Sequence, residues 1–158
     1  MIRVLDTLHN DAAAYPLAAV PSFSSAPTIS GLMVGDVMSP LRILIVEDDA
    51  LIGMLLEDML TAMGHAVCAV ARTQDEAVAA AEHHKPHMLI VDAWLHEGSG
   101  VTAVDQIQRR GIVPHIFVTG DSRGVLALKP NAIVLEKPFT EAMLAAAIDR
   151  SQAYSQTS

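Results

Sequence analysis

Five positions in the sequence could do chemistry together. Glu47-Asp48 follows the apolar run Leu41-Arg42-Ile43-Leu44-Ile45-Val46, and Asp92 follows Met88-Leu89-Ile90-Val91. Thr119 closes a run that begins at Val113, and Lys137 follows Asn131-Ala132-Ile133-Val134-Leu135-Glu136. Three carboxylates held close together repel one another and call for a cation. Oxygen ligands of this kind suit Mg²⁺, which prefers octahedral oxygen coordination and keeps several waters. A lysine and a hydroxyl beside such a site supply positive charge and a hydrogen bond, which suits a phosphoryl group. A carboxylate attacking phosphorus would form an aspartyl phosphate.

The five residues meet only if the chain brings the ends of those runs to one edge. Short apolar runs bounded by turn residues read as strands buried on both faces, the kind found in parallel sheets. Helical patterns separate them. Asp49 is an N-cap for a helix with Ile52, Leu55, Leu56, Met59 and Met63 on one face, and Gly64 ends it. A second strand runs from His65 to Ala71. Thr73-Gln74-Asp75-Glu76 has capping-box spacing and opens an alanine-rich helix to about His84. Ser99 caps a helix carrying Val101, Val104 and Ile107, which stops at Gly111; Thr140 caps a last one with Leu144, Ala147 and Ile148. Alternation of this kind predicts an α/β fold with a flavodoxin-like, doubly wound, five-stranded parallel sheet in the order 2-1-3-4-5. Strands one, three, four and five are then neighbours, and open parallel sheets bind ligands at their carboxyl ends. Between Thr119 and Asn131 there is little room. Gly124 and Pro130 punctuate that stretch, so a shortened or mobile fourth crossover helix is expected.

Composition narrows the classes. The 158 residues carry ten Lys plus Arg against eighteen Asp plus Glu, a net charge of −8. That disfavours general nucleic-acid binding and polyanionic membrane surfaces. Cys68 is the only cysteine, so no internal disulfide forms, and a reducing, cytoplasmic setting fits. It reads as a small core residue. No apolar run approaches the roughly 20 residues of a membrane helix, and Pro16 and Pro21 break the N-terminal apolar stretch. Residues 1–40 are rich in Ala, Ser and Pro and read as a disordered or loosely ordered leader. A docking helix over Ile2 to Leu8 and a true start at Met38 are alternatives for it. The globular domain spans 41–153, and 154–158 is a tail.

Ile45-Val46-Glu47-Asp48-Asp49, Leu89-Ile90-Val91-Asp92, Val118-Thr119-Gly120 and Glu136-Lys137-Pro138-Phe139 occur in this order, each at a strand end. Together they resemble the receiver domain of two-component response regulators over about Leu41 to Gln152. The resemblance implies that Asp92 is the phosphoacceptor, that Thr119 is the switch hydroxyl and that Lys137 pairs with the phosphate. It implies Mg²⁺ held by Glu47, Asp48, Asp92 and the main-chain carbonyl of Trp94, with Asp48 the direct acidic ligand. It also implies a cis Lys137–Pro138 bond. The partner would be a sensor histidine kinase or histidine phosphotransfer protein, with output to a downstream protein, by homodimerisation, or as a phosphate sink. Two departures stand out. His96 lies where the family often has proline, and Val134 replaces the usual aromatic switch residue. The stretch Pro114-His115-Ile116-Phe117-Val118-Thr119-Gly120 is similar to an atypical single-domain subgroup with a Phe-Ala-Thr-Gly stretch. The short, Gly- and Pro-broken sequence from Asp121 to Lys129 leads to the expectation that phosphorylation orders this loop.

Each residue alone has a plainer reading. A strand-ending Asp is commonly a turn residue, and Glu47-Asp48-Asp49 could be a helix-entry cluster. Convergence at one edge favours function. Trp94 either shields the site or packs on its loop. His83, His84 and His87 lack the cysteine or carboxylate companions of a metal site and read as solvated helix-end residues. Met54, Met59 and Met63 read as core. An aspartyl-nucleophile phosphatase would want a second Asp two residues after Asp92, where Trp94 stands. A nucleotide-binding fold would want a Gly-rich loop after strand one, and none is present. A pseudo-receiver that is never phosphorylated is the remaining alternative.

Overall fold

The computed structural model describes residues 39–155, with side chains described to Ala153. The leader other than Ser39 and Pro40, its docking helix and the Met38 start lie outside the described residues. Five strands and five helices alternate: β1 (Arg42–Val46), α1 (Ala50–Ala62), β2 (Ala66–Ala71), α2 (Gln74–His84), β3 (Met88–Asp92), α3 (Gly100–Gln108), β4 (His115–Thr119), α4 (Ser122–Leu128), β5 (Val134–Glu136) and α5 (Glu141–Ser155). The sheet is parallel throughout, in the order β2-β1-β3-β4-β5. This is the flavodoxin-like arrangement expected above.

The apolar runs form central strands because both of their faces are covered. Side chains alternate sides along a strand. Leu44, Val46, Leu89, Val91 and Phe117 pack with Ala77, Ala81, Val101, Val104 and Val125 of α2, α3 and α4. Their neighbours Ile43, Ile45, Met88, Ile90, Ile116 and Val118 pack with Leu56, Leu60, Leu144 and Ile148 of α1 and α5. Every one of these is buried. Fully burying one such side chain contributes roughly 1.5–3 kcal/mol. The two clusters therefore fix strand register, since a one-residue slip would exchange the faces.

The helix caps follow the sequence closely. Asp49 accepts from the amides of Leu51 and Ile52, and Gly64 follows α1 at a φ of 83°. Thr73 Oγ1 accepts from the Glu76 amide, while the Glu76 carboxylate reaches back to the Arg72 amide, one residue earlier than a standard capping box. Ser99 Oγ accepts from Thr102 N–H and Thr140 Oγ1 from Met143 N–H. Cys68 is half-buried, and its Sγ donates to the Ile43 carbonyl.

Several expectations need correction. Met54 and Leu55 are not core; they are 62% and 47% exposed, and α1 instead buries Gly53, Leu56 and Leu60. β5 begins at Val134 rather than Asn131, because Ala132 N–H turns back to the Lys129 carbonyl and pairing with β4 starts at Phe117 and Val134. β4 begins at His115 rather than Val113. The Gln108 amide bonds both the N–H and the carbonyl of Val113, taking the place of a strand partner. α3 stops at Gln108, with turns at Arg110 and Gly111. α5 runs to Ser155, two residues into the stretch read as a tail. The 121–129 stretch, expected as a shortened helix or a mobile loop, takes the first of these forms, a short helix of seven residues. Asp121 caps it through Gly124 N–H, Val125 is buried beneath it, Lys129 pairs with Asp105 on α3 at 2.6 Å, and Ser122 bonds Glu136 at 2.9 Å.

Candidate functional site

The carboxyl ends of β1, β3, β4 and β5 converge as their registers require: Val46 pairs with Val91, Asp92 with Val118, and Thr119 with Glu136. Asp92 and Thr119, within these pairs, and Glu47, Asp48 and Lys137, just after them, form the site. Glu47 leaves β1 with its amide on the Ala71 carbonyl, so the sheet fixes its backbone. Its side chain is only 1% exposed. One carboxylate oxygen accepts from Asp49 N–H at 3.2 Å and the other from Lys137 Nζ at 3.0 Å. Lys137 also donates to Asp92 Oδ2 at 2.7 Å, while Asp92 Oδ1 accepts from Trp94 N–H at 2.9 Å. The Lys137 amide bonds the Thr119 carbonyl at 2.8 Å, which extends the β4–β5 ladder by one step and aims the ammonium inward. The Lys137–Pro138 peptide is cis. Thr119 is fully buried, and its hydroxyl accepts from Asp121 N–H at 3.0 Å, at the start of α4.

Glu47, Asp48 and Asp92 each offer an oxygen within 4.8 Å of the others, the only such group among the described residues. Burial pushes the Glu47 carboxyl above its ordinary value; the Lys137 hydrogen bond opposes the rise and the Asp92 charge adds to it. Burial pulls Lys137 down, but its hydrogen bonds to Asp92 and Glu47 and their charges outweigh it, so the ammonium is held above its ordinary range. A buried carboxylate whose ionised form is disfavoured fits a divalent cation as its counter-charge, and all-oxygen donors match Mg²⁺.

Glu47, Asp48, Asp92, Thr119 and Lys137 thus come to one edge, as read from the sequence. Trp94 follows Asp92 on the loop; the residue is 44% exposed and its ring lies against the start of α4, where a Cβ on Gly124 would stand 3.2 Å from Trp94 Cζ2. Sequence reasoning missed one partner. His96 N–H donates to Asp48 Oδ2 at 3.1 Å, and the His96 ring Nδ1 touches the same oxygen. The departure from proline at His96 was the available clue, but the contact spans 48 positions and depends on how the loop closes. His84 and His87 do other work: the His84 carbonyl accepts from the Arg42 guanidinium, and His87 Nδ1 accepts from the Arg42 amide. Val134, in place of an aromatic, packs half-buried against the cluster around Phe117.

The Glu47 shift sets a pH dependence. A raised folded-state value means the folded domain holds this proton more tightly than the unfolded chain. Glu47 therefore favours the metal-free fold below pH 4.5, and that contribution is lost as pH rises through the raised value. Metal binding runs the other way, because a ligating carboxylate must be ionised. Mg²⁺ affinity is expected to fall on acidification from above the ordinary glutamate range. Mg²⁺ titrations followed by Trp94 fluorescence at successive pH values check this; affinity that holds steady down to pH 4.5 would contradict it.

A family profile described as the response regulator receiver domain matches residues 43–149. The chain belongs to the response regulator receiver family. It is 38% identical over 120 residues to the phyllosphere-induced regulator PhyR of Methylorubrum extorquens, covering 73% of this chain and 45% of that protein. It is 35% identical over 118 residues to the transcriptional regulatory protein PdtaR of Mycobacterium tuberculosis, covering 72% and 58%. The chain thus spans about half the length of these curated relatives. Among solved structures, the receiver domain of Erythrobacter litoralis PhyR superposes with a TM-score of 0.68 at 31% identity, covering 74% of this chain and 93% of that one. Brucella abortus PhyR gives 0.70 at 34% identity, covering 75% and 50%. Among the described residues no helix is long and apolar enough to cross a membrane.

Proposed function

We propose that this chain is a phosphorylatable receiver that takes a phosphoryl group onto Asp92 from a sensor histidine kinase or histidine phosphotransfer protein. The observation that carries this is Lys137, which bridges Asp92 and Glu47 with one ammonium beside a third carboxylate. In the transfer, a carboxylate oxygen of Asp92 forms a bond to phosphorus as the phosphorus–nitrogen bond of the donor phosphohistidine breaks. The imidazole leaves with that electron pair and takes a proton. Lys137 then turns from two carboxylates towards the phosphoryl oxygens, and the Thr119 hydroxyl donates to one of them while still accepting from Asp121 N–H. Glu47, Asp48, Asp92 and the Trp94 carbonyl would hold Mg²⁺, which neutralises phosphoryl oxygens when bound.

Because the Thr119 hydroxyl is bonded to Asp121, the N-cap of α4, its movement reaches that helix through the cap. The missing aromatic at Val134 leaves this as the route outward. Output is by contact with a downstream protein or a second copy of the chain, in a cytoplasmic setting, and nucleic acid is not the target. Bartonella quintana PhyR is described as an anti-anti-sigma factor. That likeness, and the strand-four stretch, support placing the chain in the atypical receiver subgroup. An aspartyl phosphatase is not favoured, because Trp94 stands where that chemistry needs a second carboxylate.

The test is intact mass after incubation with a small acyl phosphate, with and without Mg²⁺. A single phosphoryl adduct that chelation of the metal prevents is expected. Absence of any adduct, with Mg²⁺ bound, would convert the reading to a pseudo-receiver.

A further inference from the structure

The β3–α3 loop, residues 93–99, carries the Trp94 carbonyl; Ala93 is held by its amide on the Val118 carbonyl at 3.3 Å and by Gly100 N–H on its own carbonyl at 3.1 Å, and the loop beyond it is anchored at three places. Trp94 N–H is tied to Asp92 and His96 N–H to Asp48. Both of those acceptors are carboxylates of the acidic cluster, so both anchors change when a cation takes those oxygens. The third anchor is independent of the cluster. Gln74, the first residue of α2, donates its backbone N–H to the Glu97 carbonyl at 3.2 Å, and its side-chain Oε1 accepts from Ser99 N–H at 3.0 Å. Between those two bonds sits Gly98 at a φ of 88°, where an added Cβ would stand 2.5 Å from Gln74 Cβ and 2.9 Å from Gln74 Oε1. Only glycine has both the conformation and the room there. α2 itself is fixed to the sheet by buried Ala77 and Ala81.

We propose that Gln74 is a positioning residue for the cation and phosphoryl site: it holds the loop so that the Trp94 carbonyl is in place when Asp48 and Asp92 are committed to the cation. This rests on the receiver reading above. Outer-shell groups that orient a ligand change metal affinity by about 10–100-fold when removed, and a neutral hydrogen bond to one amide belongs at the lower end.

The test compares the full chain with Gln74→Leu and Gln74→Glu. Leucine keeps the bulk and loses the acceptor; glutamate keeps the acceptor. Mg²⁺ affinity is read from Trp94 fluorescence at high salt, where the extra glutamate charge is screened, and Ser99 amide exchange is read without metal. Gln74→Leu is expected to weaken Mg²⁺ about tenfold and to speed Ser99 exchange, with melting unchanged; Gln74→Glu is expected to restore both. A wild-type chain that responds to Mg²⁺ while Gln74→Leu matches it overturns the positioning role alone, as does failure of Gln74→Glu to rescue. A wild-type chain with no Mg²⁺ response overturns the receiver reading and the positioning role with it.

Discussion

Asp92→Asn is expected to abolish phosphoryl acceptance and to leave the fold intact. Asparagine has the shape of aspartate and retains an oxygen for the Trp94 amide, so the first turn of the loop is preserved. Lys137 loses its 2.7 Å partner but keeps Glu47 at 3.0 Å, so the ammonium is not left unpaired. One of three crowded carboxylates is gone, and the Asp92 charge that helps raise Glu47 goes with it. Stability without metal is therefore expected to hold, or to rise by up to about 1 kcal/mol for a partly buried repulsion relieved. The amide oxygen is a poor nucleophile and carries no charge, so no aspartyl phosphate forms. Intact mass after an acyl phosphate, together with a thermal melt, checks both halves. An adduct of undiminished yield on the variant would mean that another carboxylate accepts, and Asp48 would be the next to replace.

Much of the fold was legible because the strands are short apolar runs that lead straight into functional residues. Val46, Val91 and Val118 are buried residues of the central strands β1, β3 and β4, and Glu47, Asp92 and Thr119 follow them at one sheet edge; Lys137 arrives there two residues after buried Leu135 of the edge strand β5. Parallel pairing does the rest, since it puts all carboxyl ends together. α1 was less legible. Leu51, Ile52, Met54, Leu55, Leu56, Met59, Leu60 and Met63 make it apolar nearly all round, so helical spacing does not single out one face. The sheet decides, burying Leu56 and Leu60 and leaving Leu51, Met54 and Leu55 outside. The fourth helix was half-legible: Gly124 and Pro130 limited its length, but the Asp121 cap and the Lys129–Asp105 pair that hold it are tertiary facts.

The site divides in the same way. The acidic pair, Asp92, Thr119 and Lys137 could be placed because strand ends are predictable positions. The loop contacts could not. His96 on Asp48 and Gln74 on Ser99 join residues 48 and 25 positions apart through irregular backbone. No periodicity governs such segments, and only the closed structure shows which amide meets which oxygen.

Gly100→Ala is expected to be the most damaging single-methyl change in the domain. Gly100 opens α3 directly behind β3, the strand that ends in Asp92, with its amide on the Ala93 carbonyl at 3.1 Å. A Cβ there would overlap the Asp92 carbonyl oxygen and stand 2.7 Å from Val91 Cγ1 and 2.9 Å from the Asp92 carbonyl carbon. The obstacle is backbone of a central strand, at a residue paired with Val118 of β4, so it cannot yield as a flexible side chain would. α3 has to move instead, lifting Val101 and Val104 from the core cluster they share with Val91 and Phe117. Overpacking a well-filled site costs typically 1–3 kcal/mol, and a clash with fixed backbone belongs at or above about 3 kcal/mol. Gly111 is the matched control. It lies at the other end of the same connection, with nothing within 4 Å of an added Cβ, and Gly111→Ala is expected to change stability by no more than about 0.5 kcal/mol. Denaturant unfolding of the two variants separates them. If Gly100→Ala proved as stable as Gly111→Ala, the close approach of α3 to Asp92 would be wrong. If it is destabilised as expected, the same displacement carries the Asp92 main chain with it, and Mg²⁺ affinity falls alongside stability. The two losses share one cause, because the helix start that closes the core is also the wall against which Asp92 is set.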